Sequence, residues 1–103
     1  MALAALPHAS PNFDAGSNVV WLRGEHDIFT LAGLWETMSR AIAFDDGDVV
    51  VDLSAVEFMG ASTIGILVRA RTILAKRSRS LTLRSPSPRA LRVLGLCGLA
   101  NSA

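Results

Sequence analysis

At 103 residues, half of them apolar, the chain has the size of one domain and enough hydrophobic material for one compact core. Asp52, Glu57, Arg69 and Arg71 break its apolar stretches, so none reaches the roughly 20 residues that a membrane-spanning helix needs. Net charge is only +1, yet all nine acidic residues lie between Asp14 and Glu57 and eight basic residues lie between Arg69 and Arg92, a dipolar surface and not a uniformly basic one.

The start, Met1 to Leu6, is apolar but short, lacks the basic opening of a secretory signal and is followed by Pro7 and Pro11. Residues 1–18 are expected to form an N-terminal edge strand or a loose segment. Val19-Val20-Trp21-Leu22-Arg23 is β-branched and aromatic, ends at Gly24 and predicts a strand, with Glu25-His26-Asp27 as a polar loop. Thr30 stands where an N-cap would, and Leu31, Leu34, Trp35, Met38 and Ile42 recur at helical spacing. Asp45-Asp46-Gly47-Asp48 turns the chain into Val49-Val50-Val51-Asp52-Leu53, a run typical of a strand buried on both faces. A second helix is expected from Ser62 to about Arg77, apolar around most of its girth, with a polar stripe of Arg69, Thr72 and Lys76. Leu81-Thr82-Leu83-Arg84 alternates as a short strand, and Pro86 and Pro88 punctuate a loop before a last helix through Leu91, Val93, Leu94 and Leu96. Strands alternating with helices predict an α/β domain with an at least partly parallel sheet and right-handed crossovers.

Signs of catalysis are sparse. No glycine-rich phosphate loop is present, and His8 and His26 lie far apart without a cysteine or carboxylate pattern suited to a metal. Ser62, His26 and Asp27 can be written as a triad, but no G-x-S-x-G elbow surrounds the serine. The single cysteine, Cys97, has no second thiol for a disulfide or metal pair; between Leu96 and Leu99 it is expected to be a packed thiol in a reducing cytoplasm. The arginines from Arg69 to Arg92 come without an RNA-binding motif or a stacking aromatic, so nucleic acid is not an expected partner. The remaining feature is the junction Phe58-Met59-Gly60-Ala61-Ser62-Thr63-Ile64-Gly65, which links a buried strand to a helix. A serine at a helix start serves as an N-cap, and the same geometry suits a phosphate placed at the positive end of the helix dipole.

Gly24-Glu25-His26-Asp27, then Val50-Val51-Asp52-Leu53-Ser54 and Phe58-Met59, then Ser62 with Ile64-Gly65, and finally Ser87-Pro88-Arg89 with Leu94 and Gly98-Leu99 form an ordered set. Together they resemble the STAS domain family of the anti-sigma factor antagonist type, from about Val19 to Leu99, with residues 100–103 as a short tail. The resemblance implies a STAS-like single α/β domain: a mixed, partly parallel β-sheet of about four strands with helices packed mainly on one face. In that family the junction commonly reads Asp-Ser-Ser-Gly, and the second serine is phosphorylated by the partner kinase. That serine falls on Ser62, while Gly60 stands for the aspartate, Ala61 for the first serine and Thr63 for the glycine. Asp27 aligns with the acid of the family's GExD loop, and Glu25, Asp27, Gly60, Ala61, Ser62 and Thr63 are the implied partner-binding residues. Thr63 offers a second, less favoured acceptor hydroxyl.

The implied function is that of an anti-sigma factor antagonist: a cytoplasmic binding module, not an enzyme. It binds an anti-sigma factor with serine kinase activity by partner switching and is released on phosphorylation of Ser62. ATP and magnesium belong to that partner, so the chain itself needs no cofactor and no metal. The alternative is a STAS subunit of a membrane lipid-transport (ABC-type) complex acting by binding only. Family members continue into a further segment and a terminal helix after the position of Leu99; apolar surface left open here would be met by a homodimer or by a longer natural chain.

Overall fold

The apolar runs become four strands, β1 (Asn12–Asp14), β2 (Val19–His26), β3 (Val49–Met59) and β4 (Leu81–Arg84), in the computed structural model of the protein, which describes residues 11–14 and 18–96. They form one sheet in the order β1-β2-β3-β4, antiparallel between β1 and β2 and parallel thereafter. Three helices, α1 (Leu31–Phe44), α2 (Ala61–Ala75) and α3 (Pro88–Leu96), follow β2, β3 and β4. Parallel crossovers are right-handed, and the steps β2 to β3 and β3 to β4 advance the same way across the sheet. Both crossover helices therefore lie on one face, where α1 packs against α2. This is the expected mixed four-stranded α/β domain.

Helical spacing turns Leu34, Met38, Ala41 and Ile42 of α1 inward, and Ile64, Leu67, Ala70 and Leu74 of α2 meet them over Val20, Leu22, Val49, Val51 and Leu53. Each large side chain buried here contributes about 1.5–3 kcal/mol. Beyond Leu53 the pairing of β2 with β3 slips twice, between Trp21 and Arg23 and between Gly24 and Glu25. Each slip inserts an extra β3 residue, so the inward positions jump from Leu53 to Val56 and then to Met59, and both remain in the core.

On the opposite face Asp52 is buried because Arg84 lies across it: Arg84 Nε donates to Asp52 Oδ2 at 2.8 Å, and the guanidinium continues to 4.9 Å above the Trp21 ring. Burial opposes the charged carboxylate, but donors from Ser54 (hydroxyl at 2.6 Å, backbone N–H at 3.0 Å) and from Arg84 outweigh it and hold the Asp52 pKa below its ordinary value. From Val49 to Leu53 β3 is thus covered on both faces, by helices on one and by its neighbours' side chains on the other, whereas Ser54, Ala55, Glu57 and Phe58 further along it are exposed.

Two boundaries, the end of β2 and the start of α3, differ from the sequence expectation. β2 runs on through Glu25 and His26, which pair with Phe58 and Met59; the backbone ladder, and not side-chain hydrophobicity, makes this polar stretch a strand. α3 begins at Pro88, where a missing N–H costs nothing. Ser87 caps it, its Oγ accepting from Ala90 N–H at 3.2 Å and donating to the Val56 carbonyl at 2.7 Å, and Leu91 of this helix is exposed. Cys97, His8, the Gly98-Leu99 pair and the tail lie outside the described residues.

Candidate functional site

The parallel strands β2 and β3 end side by side, and the two loops leaving them form one corner of the molecule. At the end of β2, Asp27 has an extended backbone and its Oδ1 accepts the N–H of Phe29 at 2.9 Å. Thr30 reciprocates: its Oγ1 accepts from Asp27 N–H at 3.2 Å and donates to the Asp27 carbonyl at 2.9 Å. This capping box shapes Ile28–Thr30 into a single 3-10 turn ahead of α1. Thr30, the expected N-cap of the first helix, spends its hydroxyl in this turn and makes no side-chain cap to α1.

At the end of β3, Gly60 donates its N–H to the His26 carbonyl at 2.9 Å, binding the two loops together. Gly60 is also the N-cap of α2: its carbonyl accepts from Thr63 N–H at 3.1 Å and Ile64 N–H at 3.2 Å, with no side chain to cap the helix. Ser62, expected at the cap, is instead the second residue of the helix. β3 reaches as far as Met59, and Gly60 takes the extended backbone, φ −80° and ψ 166°, that a cap requires. The hydroxyls of Ser62 and Thr63 part here. Ser62 is exposed, whereas Thr63 is wholly buried and its Oγ1 has no hydrogen-bond partner.

Glu25 is exposed and Asp27 half-buried on the β2 side, and Gly60 and Ala61 border Ser62, so five of the six expected residues reach the surface of the corner and Thr63 does not. His26 is not the loop residue expected. Its ring is fully buried, with Nε2 3.1 Å from the Arg23 carbonyl. A carbonyl only accepts, so Nε2 carries the proton and Nδ1 is left as a buried acceptor without a partner. Burial pushes its pKa down, against the opposing pull of the Arg23 carbonyl and the Asp27 charge. The ring is buried whereas Ser62 is exposed, and among the described residues no hydrogen bond joins the two.

Sequence reasoning missed Ile28, Phe29 and Phe58, which stand 63%, 87% and 51% exposed at this corner. The available signal was that Phe29 falls outside the helical stripe of Leu31, Leu34, Trp35, Met38 and Ile42. The basic side chains are dispersed and partly occupied: Arg79 is buried with Nε on the Gly47 carbonyl, Arg84 covers Asp52, and Arg69 lies 4.4 Å over Trp35. Among the described residues no cluster of metal-binding side chains occurs, and no helix is long and apolar enough to cross a membrane.

A family model described as Mlab, STAS domain matches residues 9–101. The chain belongs to the STAS domain family. This STAS domain is 39% identical over 57 residues to the anti-sigma-F factor antagonist RsfB of Mycobacterium tuberculosis (strain ATCC 25618 / H37Rv), a match covering 55% of the chain and 45% of RsfB. It therefore spans about half the length of the curated relatives it matches. Among solved structures it resembles an anti-sigma factor antagonist from Mycobacterium paratuberculosis, with TM-score 0.74 and 29% identity over 88% of this chain and 79% of that one. It also shares the fold of the anti-sigma factor antagonist SpoIIAA in its unphosphorylated form, with TM-score 0.75 and 20% identity over 90% of this chain and 84% of that one.

Proposed function

We propose that this STAS domain is an anti-sigma factor antagonist that docks through the β2–β3 corner onto an anti-sigma factor with serine kinase activity, in the cytoplasm, and is released when Ser62 is phosphorylated. The named relatives support the antagonist role. The observation that carries the switch is the division of the two hydroxyls: Ser62 is open to a kinase at the start of α2, and Thr63 is buried beneath it. A phosphate on Ser62 adds roughly −1.5 to −2 charge in the first turn of α2, where the helix dipole favours it. The domain keeps its fold, and the cost falls on the complex, which must desolvate a dianion at its interface.

The alternative, a subunit of a membrane lipid-transport (ABC-type) complex, has Gly60 and Ala61 on its side, in place of the acidic and hydroxyl residues usual before the acceptor. It would dock through α2, whose outward face carries exposed Arg69, Thr72 and Lys76, while exposed apolar side chains gather at the corner. That distribution favours the first reading. Titration against anti-sigma factors of the native host, followed by phosphopeptide mapping after incubation with ATP, tests it. Phosphate on Ser62 and loss of binding are expected; phosphate on neither residue, or co-purification with a transporter ATPase and with no anti-sigma factor, sinks it.

A further inference from the structure

Exposed apolar side chains scattered singly over a small domain need no explanation, but a cluster at one place does. Phe44 leans on Phe13 with ring centroids 5.6 Å apart, and Trp21 lies under Arg84. Ile28, Phe29 and Phe58 differ: Ile28 and Phe29 lie just after β2 and Phe58 lies at the end of β3, the two segments that the Gly60–His26 hydrogen bond joins. Phe58 reaches toward the start of α2, its ring 3.8 Å from where a Cβ on Gly60 would stand, two residues before Ser62. Ile28 and Phe29 sit in the 3-10 turn, which has no buried residue and is held by the Asp27 carboxylate on Phe29 N–H. We infer that Ile28, Phe29 and Phe58 are the apolar anchor by which this corner seats in an apolar cleft of the anti-sigma factor, and that Asp27 is a positioning residue that holds the anchor out. The inference rests on the antagonist reading of the corner.

Two features of the corner define the partner's chemistry. The anchor presents two exposed aromatic rings, a side-chain type enriched in the buried cores of protein interfaces. Glu25 and Glu57 are exposed on the strands beside it, so the strand-side rim of the cleft carries Arg or Lys. On the helix side, Ser62 borders the apolar contact. A phosphate there would be stripped of water by the docked partner with no apolar group able to compensate, which links the anchor to release.

The test is calorimetric titration of the wild-type domain and of Phe29→Ala, Phe58→Ala, Phe44→Ala, Asp27→Ala and Asp27→Asn against the host's purified anti-sigma factors, with thermal unfolding of each. Phe29→Ala and Phe58→Ala are expected to bind at least about tenfold more weakly with unchanged melting temperatures, and Phe44→Ala, far from the corner, to bind as wild type. Asp27→Asn keeps an oxygen for Phe29 N–H and is expected to bind as wild type, whereas Asp27→Ala weakens binding. If wild type binds and both phenylalanine variants stay within about twofold of it, the anchor is overturned and the antagonist reading stands. If Asp27→Asn is as weak as Asp27→Ala, Asp27 contacts the partner by its charge and its positioning role is overturned. A folded wild type that binds no anti-sigma factor overturns the functional reading and the anchor with it.

Discussion

The N–H of Gly60 donates to the carbonyl of His26 at 2.9 Å, so the end of β2 and the start of α2 are one mechanical unit built on a fully buried imidazole. Whatever disturbs that ring disturbs both loops of the proposed docking corner.

Protonation is one such disturbance. Burial sets the His26 pKa below its ordinary value of 6.5, so below that pH the unfolded chain binds more protons than the folded one. The stabilising contribution of the neutral ring is therefore complete above about 6.5 and is lost as pH falls through the unfolded value toward the folded one. Asp52 acts in the same direction but only around and below its ordinary value of 3.8, which leaves the mildly acidic window to histidine. Urea denaturation at about pH 7.5 and about pH 5 is expected to show wild type losing stability on acidification, and His26→Gln losing less. Equal losses in the two proteins would remove His26 from the explanation.

Because Ser62 makes no cap hydrogen bond, its replacement is expected to leave the fold nearly untouched. Ser62→Ala should change stability by no more than about 0.5 kcal/mol and keep partner affinity. Ser62→Asp places a carboxylate in the first turn of α2 and should gain about 0.3–1 kcal/mol while binding the partner poorly. Stability and affinity then move in opposite directions for the aspartate variant. Identical affinity of the two variants in a calorimetric titration would mean that charge at Ser62 does not control docking.

α2 begins on a residue that has no side chain to offer, and there is room for one. A Cβ at Gly60 would lie 3.7 Å from the His26 carbonyl oxygen and 3.8 Å from the Phe58 ring, ordinary contact distances, and the backbone φ of −80° suits any residue. Gly60→Asp is expected to cap the first turn and raise stability by about 0.3–1 kcal/mol, measured by urea denaturation. A loss of stability would show that Phe58 cannot give way.

The far end of the same helix offers a second gain. Arg79 N–H bonds the Leu74 carbonyl at 2.9 Å and Ser78 N–H the Ala75 carbonyl at 3.1 Å, a Schellman closure with Ser78 at φ 59°, in the left-handed region. A side chain there costs about 1–2 kcal/mol, partly offset by the greater unfolded freedom of glycine. Ser78→Gly is expected to stabilise the domain by about 0.5–1 kcal/mol with no effect on partner binding, checked by thermal unfolding and titration.

What the sequence determined by itself is whatever local period encodes. The stripe of Leu34, Met38 and Ile42 and the alternation Leu81–Arg84 each bury one face at the spacing of a helix or a strand, and the run Val49–Leu53 buries both, so elements and topology were legible, and the ordered motifs identified the family. Tertiary structure decided the corner. Glu25 and His26 became strand because Phe58 and Met59 supply their ladder, and Val56 and Met59 stayed inward only through two register slips. Gly60 displaced Ser62 as the cap because β3 runs to Met59, and one hydroxyl of an adjacent pair faces the core while the other faces outward. Each of these outcomes depends on hydrogen bonds or packing between residues some 30 positions apart, such as Gly60 with His26, and no local periodicity carries that information.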